Sequence, residues 1–282
     1  MFISIRSLLA CADSSSALWG HLHDLSFVRG EDGRPIFRTG NSAVIFKVTY
    51  RNQTWKMKCY VRPKRNLRAI YRENFFPKEL CIPDIMGRRV DVVLEPWVEG
   101  ETLNKAIATA VATGDRTRLA ELASSFDALA LRLLQGEWAH GDLKPENIIV
   151  NEQGIHLIDF DAIYRPGFEP EDCNEIGTLN FQHPARGRRF DKSIDDYPIA
   201  LISTALHALA VEPSLYDRYP TDDALLIELR SAVEGCDKAL SEIKQIFTER
   251  GMTTHYRIAQ LLHSAEAPLS GVRGLLKRVC RK

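Results

Sequence analysis

No apolar run among the 282 residues approaches the roughly 20 that a membrane-crossing helix needs, so no span is expected. The six cysteines, Cys11, Cys59, Cys81, Cys173, Cys236 and Cys280, are scattered and form no C-x-x-C pair. That spacing argues against zinc and for a reducing, cytoplasmic setting. Neither sign of charge is in excess. Lys plus Arg number 37 and Asp plus Glu 37, with a pI near 7.1, so no bulk field draws the chain to nucleic acid or to a membrane surface. Repeats and low-complexity tracts are absent. Leu8-Leu9-Ala10-Cys11 imitates a lipoprotein cleavage site, yet the few residues before it include Arg6 and leave no room for the apolar core of a signal peptide. A short helix or arm is expected there. Between Asp161 and Gly177 there is no serine or threonine, and Tyr164 is the one hydroxyl side chain.

What is present is a hydrophobic share of 45%, enough for a domain with a real core, and one stretch around which the chain is organised. His140-Gly141-Asp142-Leu143-Lys144-Pro145-Glu146-Asn147 runs into the apolar Ile148-Ile149-Val150. A turn at Asn151-Glu152-Gln153-Gly154 leads back through His156-Leu157-Ile158 to Asp159-Phe160-Asp161. This reads as a loop, a short strand, a tight turn and a second strand, with an amide or acid at each end. Asn147 and Asp159 come close together with Asp142 on the loop before them. Three oxygen-bearing side chains on one rim suit a hard cation such as Mg²⁺ that shares its shell with phosphate oxygens.

The stretch resembles the catalytic loop and metal-binding segment of protein kinases, H-R-D-L-x-x-x-N followed by D-F-G. The resemblance implies an α+β, bilobal fold with a small antiparallel-sheet N-lobe and a mainly helical C-lobe. It makes Asp142 the catalytic carboxylate and assigns Asn147 and Asp159 to the Mg²⁺ that bridges the phosphates of ATP. Gly141 stands where most protein kinases have arginine, and Asp161 where they have glycine. Aspartate accepts positive φ less readily than glycine, so Asp161 is expected to stiffen the segment.

Upstream, Arg38 to Val48 resembles the glycine-rich loop and its following strand, with Gly40 alone kept from G-x-G-x-x-G; Arg38 and Ala43 occupy the other two places. Thr54 to Val61 alternates as a strand, placing Lys56 and Lys58 on one face. The likeness to V-A-I-K gives Lys58 the α- and β-phosphates and a glutamate partner from the next helix, expected over 64–76 with Leu67, Ile70 and Tyr71 on one stripe. Glu73 is that partner, with Glu79 in reserve. A connection follows over 83–87, then a strand from Arg89. Glu95-Pro96-Trp97-Val98 resembles the hinge whose backbone bonds adenine, and Glu101 falls where a polar residue contacts ribose.

Helices are expected over 103–112 and 117–134, the second with Leu119, Leu122, Ala123, Phe126, Leu129, Ala130 and Leu133 on a core stripe. Gly177-Thr178-Leu179-Asn180-Phe181-Gln182-His183-Pro184-Ala185 aligns with the G-T-x-x-Y-x-A-P-E substrate platform of Ser/Thr protein kinases, with Gly177 and Thr178 retained. There Thr178 and Lys144 both bond the region of Asp142. Ala185 replaces the usual glutamate, so its lobe must be braced another way. Ser193 to Leu201 resembles D-x-W-S-x-G at the start of the central helix of the second lobe, which implies that Asp195 braces the catalytic loop, with a plain helix cap as the alternative; the buried helix runs to Val211. Helices near 222–233, 236–250 and 255–263 follow, and the tail carries Arg273, Lys277, Arg278, Arg281 and Lys282, a solvated helix end or a partner-docking element. The expected division is a lead-in over 1–35, an N-lobe over 36–96, a C-lobe over 97–264 and a basic tail over 265–282.

Taken with the resemblance, which is closest to bacterial Ser/Thr protein kinases, the expected reaction is Mg²⁺-dependent transfer of the ATP γ-phosphoryl group to serine or threonine of a protein substrate. A loop without serine or threonine, and no arginine beside Asp142 to read a phosphate, imply a kinase not switched by phosphorylation of that loop. A nucleotide-binding pseudokinase scaffold, an aminoglycoside- or sugar-type small-molecule kinase, and nucleotidyl transfer stay open as alternatives.

Overall fold

The computed structural model describes all residues except 1, 2, 14–17, 19, 41, 83–87, 222 and 282. The expected connection over 83–87, Asn41 of the glycine-loop stretch and the expected helix start at Asp222 therefore lie outside the described residues. The chain is mixed α+β and divides into two compact units, Met1–Val98 and Glu99–Lys282.

The first unit is an antiparallel sheet with short helices. Its elements are α1 (Ile5–Cys11), β1 (Ser26–Phe27), β2 (Phe37–Thr39), β3 (Ala43–Tyr50), β4 (Gln53–Tyr60), α2 (Leu67–Tyr71), β5 (Phe75–Cys81) and β6 (Arg89–Pro96). The strand order is β1-β3-β4-β6-β5, with β2 also pairing to β3. Arg51 and Asn52, at φ 50° and 60°, close the β3–β4 hairpin as a two-residue turn whose twist matches that of its strands. Leu8, Leu22, Phe46, Met57, Leu80, Ile82 and Leu94 fill the core. The lead-in belongs to this unit, because Glu79 accepts the backbone N–H groups of His21 (3.1 Å) and Leu22 (3.2 Å) and the His21 ring at 2.9 Å.

The helix expected over 64–76 is largely absent. Only Leu67–Tyr71 is α-helical, Arg72–Asn74 forms a 3₁₀ turn, and Phe75 enters β5 opposite Val93. Arg72 sits at φ 51°, which breaks the helix, and Phe75-Phe76 bury apolar surface better in the sheet. Pro77 reads as a strand breaker, yet β5 is the edge strand and its register shifts between Phe76 and Leu80, where a proline is tolerated.

The second unit joins a small sheet to a helical body. Its elements are β7 (Glu101–Thr102), α3 (Leu103–Ala112), α4 (Arg116–Gln135), β8 (Ile148–Asn151), β9 (Gly154–Leu157), α5 (Asp196–Val211), α6 (Leu215–Arg218), α7 (Leu229–Val233), α8 (Lys238–Glu249), α9 (Thr253–Leu261) and α10 (Val272–Val279). All seven expected stripe residues of α4 are buried. Asp127, on the same face, is buried too, and accepts hydrogen bonds from Ser203 Oγ (2.6 Å) while lying 2.7 Å from His207 Nε2; this polar tie between α4 and α5 has no periodic signal. The helix expected over 222–233 shrinks to α7, since Leu226 takes φ 62° and Leu225 bridges Ile227. Asp237 caps α8 through the Leu240 N–H at 2.7 Å. In the tail, α10 buries Val272 and Leu276 and leaves Arg273, Lys277 and Arg278 exposed. No helix of the described residues is long and apolar enough to cross a membrane.

Asp196, in the first turn of α5, has its carboxyl pushed up to about 7 by burial, with the Leu269 N–H opposing and Asp195 and Asp191 adding. The unfolded chain releases this proton near pH 4, so the folded state binds more protons between the two values and loses stability as pH rises from about 4 to 7. Part of the effect is offset by the positive end of the helix. Asp196→Asn is therefore expected to match wild type near pH 3.5, to gain on it as pH rises through 5, and to exceed it by about 2 kcal/mol or more at pH 7.5, measured by urea unfolding at the three pH values.

Candidate active site

The apolar Ile148, Ile149 and Val150 are buried in β8, which pairs with β7 on one side and β9 on the other. This fixes the loop before β8 and the segment after β9 at one end of the sheet. The Ile158 N–H donates to the Asn147 carbonyl at 2.9 Å, so Asp159 follows directly on the residue paired with Asn147. His140 is held by both ring nitrogens: Nδ1 accepts the Asp142 N–H (3.3 Å) and Nε2 lies 2.9 Å from the Ile158 carbonyl. These partners require the neutral tautomer protonated on Nε2.

Asp195 accepts the N–H of His140 at 2.5 Å and that of Gly141 at 2.9 Å, while making no side-chain cap bond to α5. Of the two roles open to it, it therefore takes the brace. Burial pushes its carboxyl up, opposed by the two amides and Arg186. Gly141 sits at φ 82°, and a Cβ there would overlap the Ala162 carbonyl oxygen. Any side chain at this position, arginine included, is thus sterically barred.

The Asp142 carboxylate is fixed on both oxygens. Oδ1 accepts the Thr178 N–H at 2.6 Å, and Oδ2 accepts from Asn147 Nδ2 at 2.9 Å. Lys144 Nζ lies 3.5 Å from Oδ2 and donates to Thr178 Oγ1 at 2.7 Å. Asn147 Nδ2 also donates to the Asp142 carbonyl at 2.8 Å, so its amide N–H groups are engaged and its Oδ1 is left to accept. Gly177, at φ 86°, passes so near that a Cβ would fall 2.5 Å from the Gly141 carbonyl and 3.1 Å from Asp142 Oδ1. Asp142, Lys144, Asn147, Gly177 and Thr178 thus form one connected cluster.

In the segment after β9, the left-handed residue is Asp159, at φ 69°. Asp161 instead lies buried in the 3₁₀ turn Phe160–Ala162. Phe160 stacks near His140 and Trp138, at 5.2 and 6.3 Å between ring centres. Tyr164 pairs with Ala139 through its backbone and packs edge-on against Phe190.

Arg186, absent from the sequence expectations, braces this unit where Ala185 replaces glutamate. Its Nη1 donates to the carbonyls of Gly141 (3.3 Å) and Ile176 and to Gln182 Oε1, and Gln182 Nε2 donates to Gly141 O at 3.2 Å. Burial holds the guanidinium below its usual value, with Cys173, Asp195, Asp142 and Asp191 opposing. A buried arginine one position past Ala185 carries no pattern by itself. The signal was the missing glutamate, which called for another brace.

In the first unit, Lys58 is buried on β4. Its Nζ donates to Tyr71 Oη at 3.2 Å and lies 3.7 Å from Glu95 Oε2. Lys56 Nζ is 2.8 Å from the same oxygen, at angles outside hydrogen-bonding geometry. Neither expected glutamate pairs with Lys58: Glu73 is exposed in the 3₁₀ turn, and Glu79 is bound to His21 and Leu22. Gly40 N–H donates to the Ala43 carbonyl at 2.9 Å, so this amide serves the β2–β3 hairpin. The Trp97 N–H donates to Thr54 O at 3.1 Å, and Lys47 lies 4.7 Å over its ring; Val98 ends this unit. In the second unit, Glu101 pairs with Val150 in β7.

No family model matches this sequence. No curated protein matches it either. The crowding at Gly141 gives a direct test. Gly141→Arg is expected to cost about 2 kcal/mol or more from the left-handed backbone and the overlap with Ala162, read as a lowered unfolding midpoint. Unchanged stability would contradict the geometry.

Proposed function

We propose that this chain has a protein-kinase-like fold and is a Ser/Thr protein kinase, transferring the γ-phosphoryl group of ATP to a hydroxyl of a protein substrate with Mg²⁺. The observation that carries the reading is the Asp142 carboxylate, oriented by Thr178 N–H and Asn147 Nδ2 with Lys144 beside it. Such a carboxylate orients an incoming hydroxyl. As the bond from that oxygen to phosphorus forms and the bond from phosphorus to the ADP oxygen breaks, the hydroxyl proton passes to Asp142.

The donor set suits a hard divalent cation. Asn147 Oδ1 and the Asp159 carboxylate would hold it, since the Asn147 N–H groups are engaged by Asp142. When bound, Mg²⁺ neutralises the negative charge of the phosphates. Lys58 is the cation that the resemblance assigns to the α- and β-phosphates. The Lys144–Thr178 bond ties the expected substrate platform to the catalytic carboxylate, which favours a protein acceptor over a small molecule. The loop over 162–176 carries no serine or threonine, and its Tyr164 ring packs on Phe190, so phosphorylation of that loop is not its switch.

A second reading, a nucleotide-binding scaffold without transfer, is favoured by one observation, the use of the Gly40 amide inside its own hairpin. Intact mass after incubation of wild type and Asp159→Ala with ATP, Mg²⁺ and a generic protein acceptor separates the two. Phosphate-sized steps for wild type alone support the kinase, nucleotide-sized steps indicate nucleotidyl transfer, and none indicates the scaffold. In Asp142→Asn the rate is expected to fall roughly 10²–10⁴-fold with little change in KM for ATP.

A further inference from the structure

Glu95 stands opposite Lys56 in the β4–β6 pairing, and Lys58 stands opposite Val93, two residues along on the same face. The single Glu95 carboxylate thus reaches Lys56 directly and Lys58 on the diagonal, at 2.8 and 3.7 Å. All three side chains are buried. Tyr71 Oη adds a contact to Lys58 at 3.2 Å. Helix α2 has five residues and gives way to a 3₁₀ turn and then β5, so no glutamate of that helix can swing toward or away from Lys58.

We propose that Glu95 is the positioning residue for Lys58, holding the ammonium from a sheet strand, so that the phosphate-binding lysine is set permanently and not by movement of a helix. The role of Lys58 rests on the kinase reading above; the pairing itself does not. Lys56 shares the carboxylate from the position directly opposite Glu95. A strand in the interior of the sheet order, hydrogen-bonded on both sides, has no second arrangement comparable to a helix rotation. An enzyme built this way lacks a helix-borne on–off step for its lysine.

The test compares Glu95→Gln, Glu95→Asp and Glu73→Gln, with Lys56→Met/Glu95→Gln as a variant that removes one buried cation together with the carboxylate and so keeps the interior near charge balance. Two readouts are taken: KM for ATP against kcat, and the rate at which an amine-acylating reagent labels Lys58, followed by peptide mass spectrometry. Glu95→Gln is expected to raise KM for ATP by about tenfold and to speed labelling several-fold, Glu95→Asp to recover part of both, and Glu73→Gln to leave both within twofold. The double variant is expected to fold and to retain the fast labelling. If Glu95→Gln leaves KM for ATP and labelling within twofold of wild type, whether or not Glu73→Gln changes them, the proposal is overturned. Should wild type transfer no phosphate, the kinase reading fails alone, and labelling decides the pairing: equal rates in wild type and the Glu95→Gln forms overturn it, faster labelling in those forms upholds it.

Discussion

The second unit depends on one carboxylate holding two adjacent backbone amides. Asp195 takes the N–H groups of His140 and Gly141, which would otherwise be buried donors without an acceptor, a costly state. With those amides fixed, Gly141 can keep its left-handed backbone against Ala162, and its carbonyl turns to meet Arg186 and Gln182. Asp142 then leaves the turn in one direction, where Thr178 and Asn147 complete its shell. The chemistry proposed for Asp142 is therefore a consequence of backbone hydrogen bonding one residue earlier.

The same packing bears on Gly141 and Ala185, two of the positions at which the sequence differs from the pattern it resembles. Arginine after His140 is excluded by the approach of Ala162, and a positive charge returns from elsewhere as Arg186, which binds the carbonyl of Gly141. Beside Ala185, where the pattern has a glutamate, that same residue supplies a brace. In the first unit a parallel exchange occurs, with Glu95 on a strand taking the place expected of a helix glutamate beside Lys58. In both units a charge is kept beside a backbone or ammonium group while the element that supplies it changes.

What was legible in the sequence follows from periodicity and motif length. The α4 stripe and the β8–β9 hairpin with Asp142, Asn147 and Asp159 about its ends were readable because apolar spacing and turn residues fix them locally; Lys144 and Thr178 beside Asp142 were expected only from the resemblance to protein kinases. The helix over 64–76 was not, because Leu67, Ile70 and Tyr71 satisfy a helical period over a single turn, while the sheet claims Phe75 and Phe76 through pairing with Val92 and Val93. Glu95 was read for its backbone, and its side-chain role depends on facing Lys56 across the β4–β6 pair, a register that spacing along one chain does not give. Arg186 and Asp127 were missed for the same reason: their partners are distant in sequence, and a lone charged residue has no period.

The central claim is that Asn147 and Asp159 present oxygens to a cation that ATP brings, beside the fixed carboxylate of Asp142. Calorimetric titration of ATP with and without Mg²⁺, on wild type and Asn147→Ala, tests it most directly. The account predicts binding to wild type that requires Mg²⁺ and is weakened about tenfold or more in Asn147→Ala. Binding that ignores both the metal and the substitution, or no binding to the folded protein, would contradict it.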